Sequence, residues 1–286
     1  MIEEEKNTRI RNKETTLVVT PSHATLKEYR KIGTDCDVIQ KVEYFNTIPK
    51  QDMIIVDEVG MVDAKGWNWM YKMKLLDKKI YAYGDQNQLL PVKYDKTFFT
   101  ENWINYFFKN HRIMDTNFRN HFTKEYYYSL INSKDKKFMI NEIKKYNCKK
   151  FEDADVIITY RNKTRVKYNE KMCEKLGINN KTDKGAKIIC KTNKFKARGV
   201  CNDFDFEVVE FNKHTDKCVL WDGIDLYEFT EQQINKNFDY GYARTLYSIQ
   251  GESKKSFYFA PEDLKEFHQW ITPRFTYTLI SRLKTK

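Results

Sequence analysis

The feature that most constrains this chain is a short apolar run that ends in two adjacent acids. Residues 52–63 read DMIIVDEVGMVD, so four apolar residues, Met53 to Val56, run directly into Asp57 and Glu58. A continuous apolar run of this length predicts a strand that is buried on both faces, as in parallel sheets. Carboxylates at the end of such a strand lie where α/β sheets bind ligands. The run therefore predicts an α/β fold with a polar site at the sheet edge.

Two other stretches predict strands of the same sheet. Residues 15–30, TTLVVTPSHATLKEYR, predict a strand, a turn at Pro21 and Ser22, and a helix that Ser22 can cap. Residues 78–92, KKIYAYGDQNQLLPV, predict a third strand that ends at Gly84. Helix-length segments separate these apolar runs, and this spacing favours a parallel sheet.

The pattern changes between about residues 185 and 232, where short β-rich runs such as FEVVEF and KCVLW alternate with polar turns. We interpret this part as a small antiparallel β insertion. On either side of it the α/β pattern holds. Residues 154–177 predict a strand, a turn and a helix, and residues 242–282 return to the same pattern.

Composition indicates the class of partner and the compartment. The net charge is +11, which favours an anionic partner, nucleic acid first, although lysine-rich solubility explains the charge equally well. The six cysteines are scattered without a CxxC pair, so we expect neither a disulfide framework nor a zinc site. No apolar run approaches the ~20 residues of a membrane helix, and the N-terminus lacks a secretory signal. We expect a soluble intracellular protein of the cytoplasm or nucleus, with a large DNA virus as one compatible source.

The polar residues after the strands suggest phosphate chemistry. Asp57 can hold Mg²⁺ through its water shell, and Glu58 can deprotonate a water that attacks a γ-phosphate. In GDQNQLLPV, Asp85 can support the metal shell, and the amide of Gln88 can hydrogen-bond the γ-phosphate. An ordinary solvated turn at each strand end is the alternative interpretation. A metal-dependent nuclease built on Asp57, Glu58 and Asp85 is a further, weaker alternative.

The order of these stretches resembles the motif order of superfamily 1 helicases. VDEVGMV resembles the Walker B stretch, and GDQNQLLPV resembles the third motif. Four further stretches are similar to motifs Ia, IV, V and VI: VVTPSHAT (18–25), TNFRN (116–120), YARTLYSIQGES (242–253) and YTLISR (277–282). The Gln-Gly pair of the fifth stretch and the β insertion before it resemble the RecD-like branch, superfamily 1B. The resemblance covers nearly the whole chain.

This resemblance implies a fold and an activity. We expect two RecA-like parallel-sheet domains, the first truncated at its N-terminus, with the small β insertion in the second. Residues 1–120 would form the first domain, with motifs Ia, Walker B, III and IV. Residues 121–286 would form the second, with motifs V and VI. The implied activity is translocation on and unwinding of nucleic acid by Mg-ATP hydrolysis, with single-stranded DNA favoured over RNA.

The resemblance also implies roles for individual residues. Asp57 would bind Mg²⁺, Glu58 would be the catalytic base, and Gln88 would couple the γ-phosphate to the strand-binding surface. The remaining implied roles are two arginine fingers, Arg119 and Arg282; further nucleotide contacts, Asp85, Gln250 and Gly251; and backbone contacts to nucleic acid, Thr20, Pro21, Ser22 and Thr245. Tyr242 and Tyr247 are candidates for stacking on bases.

One expected element is missing from the sequence. None of the ten glycines is followed by Lys-Ser or Lys-Thr, so no loop of the Walker A type is present to cradle phosphates. In the family this loop precedes motif Ia, yet residues 1–16 are polar and free of glycine. Three explanations stay open. A separate polypeptide or upstream segment supplies the loop, the chain is a non-catalytic nucleic-acid-binding module, or it binds phosphate in another way.

Overall fold

The computed structural model describes residues 15–85, 87–89, 101–112, 120–266 and 270–284. They form two compact units. Of the described residues, the first unit contains 15–85, 101–111 and Asn193–Cys201, and the second contains Asn87–Leu89, 112, 120–192, 202–266 and 270–284. The domain boundary expected near residue 120 stays a prediction, because residues 113–119 lie outside the described part of the chain.

Four parallel strands form the sheet of the first unit, in the order β2–β1–β3–β4. The strands are β1 Thr16–Thr20, β2 Cys36–Val38, β3 Met53–Val56 and β4 Lys79–Ala82. The described helices of this unit are His23–Lys31, Ile39–Tyr44, Ala64–Leu75 and Glu101–Phe107, with a 3₁₀ turn at Val59–Met61. The predicted parallel strands are therefore present. The sequence did not predict β2, because its three residues carry no apolar pattern.

Helices cover both faces of this sheet, as the alternation of side chains along β3 shows. Ile54 packs into one core with Trp67 and Met70. Its neighbour Ile55 packs into a second core with Tyr29. Because β3 is buried on both faces, its apolar side chains contribute to two cores, at roughly 1.5–3 kcal/mol for each side chain.

The second unit has its own parallel sheet of three strands, in the order β11–β5–β12. These strands are β5 Val156–Thr159, β11 Ala243–Thr245 and β12 Phe257–Phe259. The helices described here are Lys124–Asn132, Lys136–Tyr146, Asn162–Leu176, Pro261–Glu266 and Pro273–Ser281, with 3₁₀ turns at Phe151–Asp153 and Tyr247–Ile249. Its main core joins Leu130, Ile158 and Leu279, so the parallel sheet and the last helix share one interior.

A five-stranded antiparallel sheet is inserted between β5 and β11, in the order β10–β6–β7–β8–β9. Its strands are β6 Lys187–Cys190, β7 Asp205–Asn212, β8 Lys217–Trp221, β9 Leu226–Phe229 and β10 Phe238–Tyr240. The helix Glu231–Asn237 begins with a capping box between Thr230 and Gln233. Between β6 and β7, the segment Asn193–Cys201 leaves this sheet and belongs to the first unit.

The predicted fold class, α/β with parallel sheets and a β insertion, is thus confirmed. The N-terminal truncation of the first domain stays a prediction. Among the helices in the described ranges, none has the length and apolar character needed to cross a membrane.

Candidate functional site

Asp57 follows β3 directly, and two donors fix its carboxylate at the carboxyl edge of the sheet. The Tyr29 hydroxyl donates to Oδ2 over 2.9 Å, and the Glu58 amide donates to Oδ1 over 2.9 Å. The Asp57 amide donates to the carbonyl of Val19 over 3.0 Å and so extends the pairing of β1 and β3 beyond the last strand residue. The carboxylate is therefore oriented before any ligand binds.

Tyr29 supplies one of these donors from the helix His23–Lys31, with only 8% of its surface exposed. Burial, and then the neighbouring charge of Asp57, raise the pKa of Tyr29 far above its ordinary value. The phenol consequently keeps its proton at physiological pH and remains a hydrogen-bond donor to Asp57.

The donor set around Asp57 suits a hydrated magnesium ion. The Asp57 carboxylate accepts a hydrogen bond from the Tyr29 hydroxyl at one oxygen and from the Glu58 amide at the other, and ionised carboxylate oxygens are acceptors with several lone pairs. In the described part of the chain, no three His, Cys, Asp or Glu side chains gather into a metal-binding group. Mg²⁺ commonly uses only one or two protein carboxylates and completes its shell with water and substrate phosphates. Asp57 and Glu58 fit that arrangement.

Glu58 has an unusual backbone conformation. Its φ of 54° and ψ of 43° lie in the left-handed region, which costs a non-glycine residue about 1–2 kcal/mol. Its carbonyl accepts a hydrogen bond from the Met61 amide over 2.8 Å, so the 3₁₀ turn Val59–Met61 begins directly after it. Strain of this kind persists where the surrounding structure fixes it, and it is frequent at functional sites.

Gly84 allows the end of β4 to approach the turn that follows Glu58. The Val59 amide donates to the Tyr83 carbonyl over 2.9 Å. A Cβ atom on Gly84 would lie 2.9 Å from Cγ1 of Val59 and 3.2 Å from its backbone nitrogen, so a side chain here forces a shift. The close approach fixes the path of the chain into Asp85, whose side chain is half-buried.

The stretch Asn87–Leu89 is held entirely within the second unit. The Leu89 amide donates to Oγ1 of Thr278, and Gln250 donates through Nε2 to the Leu89 carbonyl, both over 2.9 Å. Arg274 donates to the carbonyl of Gln88 over 3.0 Å. Gln88 and Gln250, which the sequence singled out separately, thus join one buried cluster. The sequence reasoning missed Thr278 and Arg274, although Thr278 lies inside YTLISR.

The turn after β1 contains three predicted nucleic-acid contacts, and local hydrogen bonds hold it. Thr20 is fully buried, and its hydroxyl accepts from the Ser22 amide over 3.2 Å. The Pro21 carbonyl accepts from Gln40 over 3.3 Å. Ser22 occupies the N-cap position of the following helix, but its side chain makes no capping hydrogen bond. The roles of these residues toward nucleic acid stay predictions.

Thr245 ends β11 beside a small polar cavity of about 30 Å³ in the second unit. Its hydroxyl accepts from the Ser248 amide over 3.3 Å. The three basic side chains in the lining are paired, Arg165 with Asp239 at 2.9 Å, Lys191 with Asp203 at 3.0 Å and Arg244 with Glu252 at 2.7 Å. The cavity has room for water molecules and not for a nucleotide.

The two predicted arginine fingers differ in what the structure describes of them. Arg282 follows the helix Pro273–Ser281 and is 1% exposed, among the largest fully buried side chains of the described residues. Its carbonyl accepts from the Lys254 amide over 2.8 Å. Arg119 lies outside the described residues.

Gly251, a predicted nucleotide contact, has a φ of 88°, a conformation that glycine adopts readily. Of the two candidate stacking tyrosines, Tyr242 is buried and Tyr247 is partly exposed.

A buried ion network in the YARTLYSIQGES stretch was not anticipated from the sequence. Arg244 contacts Glu252 at 2.7 Å, and Glu252 contacts Lys254 at 2.5 Å. Burial raises the pKa of Glu252, but the charges of Arg244 and Lys254 outweigh burial and hold it below its usual range. Arg244 also donates to the backbone carbonyl of Asp203 over 3.5 Å, so the network reaches the start of β7.

A model of a known protein family matches part of this chain. The family described as an AAA domain matches residues 3–100, which include Asp57, Glu58 and Asp85. Among the curated proteins, no sequence matches this chain.

Solved structures of Pif1 helicases share the fold. One structure is described as the structural basis for DNA unwinding at forked dsDNA by two coordinating Pif1 helicases. It has a TM-score of 0.63 and 13% identity, and the match covers 95% of this chain and 80% of that chain. Pif1 helicase from Bacteroides in complex with ADP-AlF3 and ssDNA has a TM-score of 0.61 and 12% identity, and the match covers 95% of this chain and 81% of that chain. Pif1 helicase from Candida albicans has a TM-score of 0.52 and 14% identity, and the match covers 99% of this chain and 92% of that chain. At these identities the likeness establishes a RecA-like helicase fold.

Proposed function

We propose that this chain is a nucleic-acid-dependent ATPase of the superfamily 1B helicase type, which translocates along single strands, DNA in preference to RNA, and separates duplexes. The observation that carries the proposal is the Asp57–Glu58 pair at the carboxyl edge of a parallel sheet, with the Asp57 carboxylate oriented by Tyr29. The motif order, the net charge of +11 and the shared fold with Pif1 helicases support it.

Glu58 acts as the base in this proposal. A water oxygen bonds to the γ-phosphorus of ATP while Glu58 takes a proton from that water. The bond from phosphorus to the bridging oxygen breaks, and its electron pair leaves with ADP. Asp57, supported by Asp85, would hold Mg²⁺, which when bound neutralises charge on the phosphates. Gln250 and Gly251 would contact the nucleotide.

Gln88 would couple the γ-phosphate to the strand-binding surface. Its backbone carbonyl accepts a hydrogen bond from Arg274, and the adjacent Leu89 is held by Thr278 and Gln250. A hydrogen bond from the Gln88 amide to a phosphate would therefore act directly on residues of the fifth and sixth motif-like stretches. We propose the guanidinium groups of Arg119 and Arg282 as donors to the transferring phosphoryl group. The hydroxyls of Ser22 and Thr245, together with Pro21, would face the strand backbone, and buried Thr20 would act on the strand through the Ser22 amide, which donates to its hydroxyl.

A second candidate is a nucleic-acid-binding protein without catalysis. The observation that favours it is the lack of any glycine followed by Lys-Ser or Lys-Thr in this sequence. Under the first candidate, a separate polypeptide or upstream segment supplies the phosphate loop, or the chain holds phosphates by other groups.

The deciding experiment is ATP hydrolysis by the chain with and without single-stranded DNA, beside Glu58→Gln. We expect strand-stimulated turnover that falls about 100-fold or more in Glu58→Gln, because general bases contribute about 10²–10⁴-fold. Glu28→Gln is the matched control, since Glu28 is a surface acid with 74% of its side chain exposed. Strand binding, measured in parallel with DNA and RNA, should be equal in all three proteins.

Other results point elsewhere. Strand binding without turnover in the wild-type protein supports the non-catalytic candidate. Mg²⁺-dependent cleavage of strands without ATP would contradict both candidates and indicate a nuclease.

A further inference from the structure

Two aromatic side chains stand exposed at the end of the helix Ile39–Tyr44 in the first unit. Tyr44 is 61% exposed and Phe45 is 51% exposed, and their rings meet edge to face with centroids 5.0 Å apart. Ile48, two residues beyond Asn46, is 59% exposed. We name Tyr44 and Phe45 the aromatic ledge. Clustered apolar side chains that remain this exposed indicate an interaction surface.

A basic segment lies against the aromatic ledge. Lys196 places its Nζ atom 5.2 Å from the centroid of the Tyr44 ring, close enough for a cation–π contact. Lys196 belongs to the 3₁₀ turn of the segment Asn193–Cys201, which also contains the exposed side chains of Lys194 and Arg198. This segment has no acidic residue. The Tyr44 ring and the Lys196 charge therefore meet on one surface, although about 150 residues separate them in sequence.

Hydrogen bonds anchor the loop at Asn46 and Thr47, which directly follows the aromatic ledge. Trp69 donates through its indole nitrogen to the Thr47 carbonyl over 2.9 Å, and Lys72 donates to Oδ1 of Asn46 over 3.1 Å. Both donors come from the helix Ala64–Leu75. The loop is thus ordered before any partner arrives, and a preorganised surface loses little conformational entropy on binding.

We propose that the aromatic ledge is a base-stacking site for single-stranded nucleic acid, with Lys196 and Arg198 facing the strand phosphates. The proposal rests on the proposed function and adds to it a strand contact outside the motif-like stretches. Every base presents a π-face, so aromatic rings bind bases without sequence preference. The cations and the lack of acids in Asn193–Cys201 favour a polyanion over an apolar peptide as the occupant.

The test measures binding of dye-labelled oligothymidine to the full chain by fluorescence anisotropy. We expect the double variant Tyr44→Ala, Phe45→Ala to raise the Kd roughly tenfold, since aromatic truncation at stacking sites has effects of about this size. Tyr106→Ala is the matched control, because Tyr106 is a 70% exposed tyrosine of the same unit. An abasic strand of equal length should bind the wild type and the double variant equally.

The phosphate contact has its own readout. Lys196→Gln should lower the slope of log Kd against log salt by about 1. Lys217→Gln serves as its control, since Lys217 is a surface lysine with 57% of its side chain exposed.

The outcomes separate this inference from the proposed function. If the double variant binds oligothymidine as tightly as the wild type, the stacking role of the aromatic ledge is overturned and the proposed function is unaffected. A loss of equal size on the abasic strand also overturns it, because stacking then plays no part. A wild type that binds no strand at low salt overturns both. Cooperative thermal unfolding of each variant establishes that the fold is intact.

Discussion

The backbone amide of Leu89 donates to Oγ1 of Thr278 over 2.9 Å, across 189 residues of sequence. The carbonyl of the same residue accepts from Gln250 over 2.9 Å. Both polar backbone groups of Leu89 are thus satisfied by side chains from the stretches that resemble the fifth and sixth helicase motifs. One residue's backbone joins three motif-like stretches, and the position of the neighbouring Gln88 depends on it.

Replacing Thr278 tests this connection. Thr278→Val keeps the shape of the side chain but leaves the Leu89 amide buried without its acceptor, which costs about 1–3 kcal/mol. We expect that loss in the free energy of unfolding, measured by urea denaturation. Strand-stimulated ATP turnover should fall further than strand binding, because Gln88 loses its support. Thr278→Ser retains the hydroxyl and is the control; equal behaviour of the two variants would refute the role of this hydrogen bond.

The hydroxyl of Tyr29 should make stability depend on alkaline pH. The folded-state pKa of Tyr29 is raised by burial and by Asp57, so its contribution to stability is complete below the unfolded pKa of about 10. This contribution is lost as the pH rises above that value, because the unfolded chain releases the proton more readily. Tyr29→Phe should remove the hydrogen bond to Asp57 at neutral pH, at a cost of about 1–3 kcal/mol.

The measurement is the free energy of unfolding from about pH 8 to about pH 11. The wild type should lose more stability over this range than Tyr29→Phe. Tyr71→Phe is the control, since Tyr71 is 43% exposed in the same unit. Identical pH profiles for the wild type and Tyr29→Phe would contradict the raised pKa.

Loss of the Glu252 charge should weaken the second unit far more than loss of the charge on an exposed acid. Glu252→Gln removes the charge that faces buried Arg244, and breaking one side of a buried pair costs about 3–5 kcal/mol. Glu228→Gln is the matched control, because Glu228 and Lys217 form an exposed pair worth about 0–1 kcal/mol. Urea denaturation of both variants gives the comparison, and similar losses would disprove a special role for the buried network.

The same network should contribute to acid unfolding. The folded-state pKa of Glu252 is held below its usual range, so its stabilising contribution is present above the unfolded pKa of about 4.3. That contribution is lost as the pH falls from there through the folded pKa. Stability should therefore fall less steeply toward acid in Glu252→Gln than in the wild type. Parallel curves would show that Glu252 titrates alike in both states.

Local patterns predicted the parallel sheets because a buried strand needs a continuous apolar run, as in β3, and a turn needs residues such as Gly84. The antiparallel insertion was predicted from a different pattern, short β-rich runs that alternate with polar turns. The contact of Leu89 with Thr278 was not predicted, since hydrogen bonds between remote segments leave no periodic signal. The left-handed conformation of Glu58 was equally hidden, because glutamate is not a residue that marks positive φ.

The segment Asn193–Cys201 is encoded between strands of the antiparallel sheet, yet it folds as part of the first unit. The insertion is therefore not an independent cassette. Exchanging or deleting the insertion would remove residues from a unit whose other residues are encoded far upstream. Expressing residues 15–111 alone would produce that unit without its basic segment. A change in this segment therefore affects two folding units at once. Recombination at the borders of the insertion would also destabilise the first unit, which the sequence of the insertion alone does not reveal.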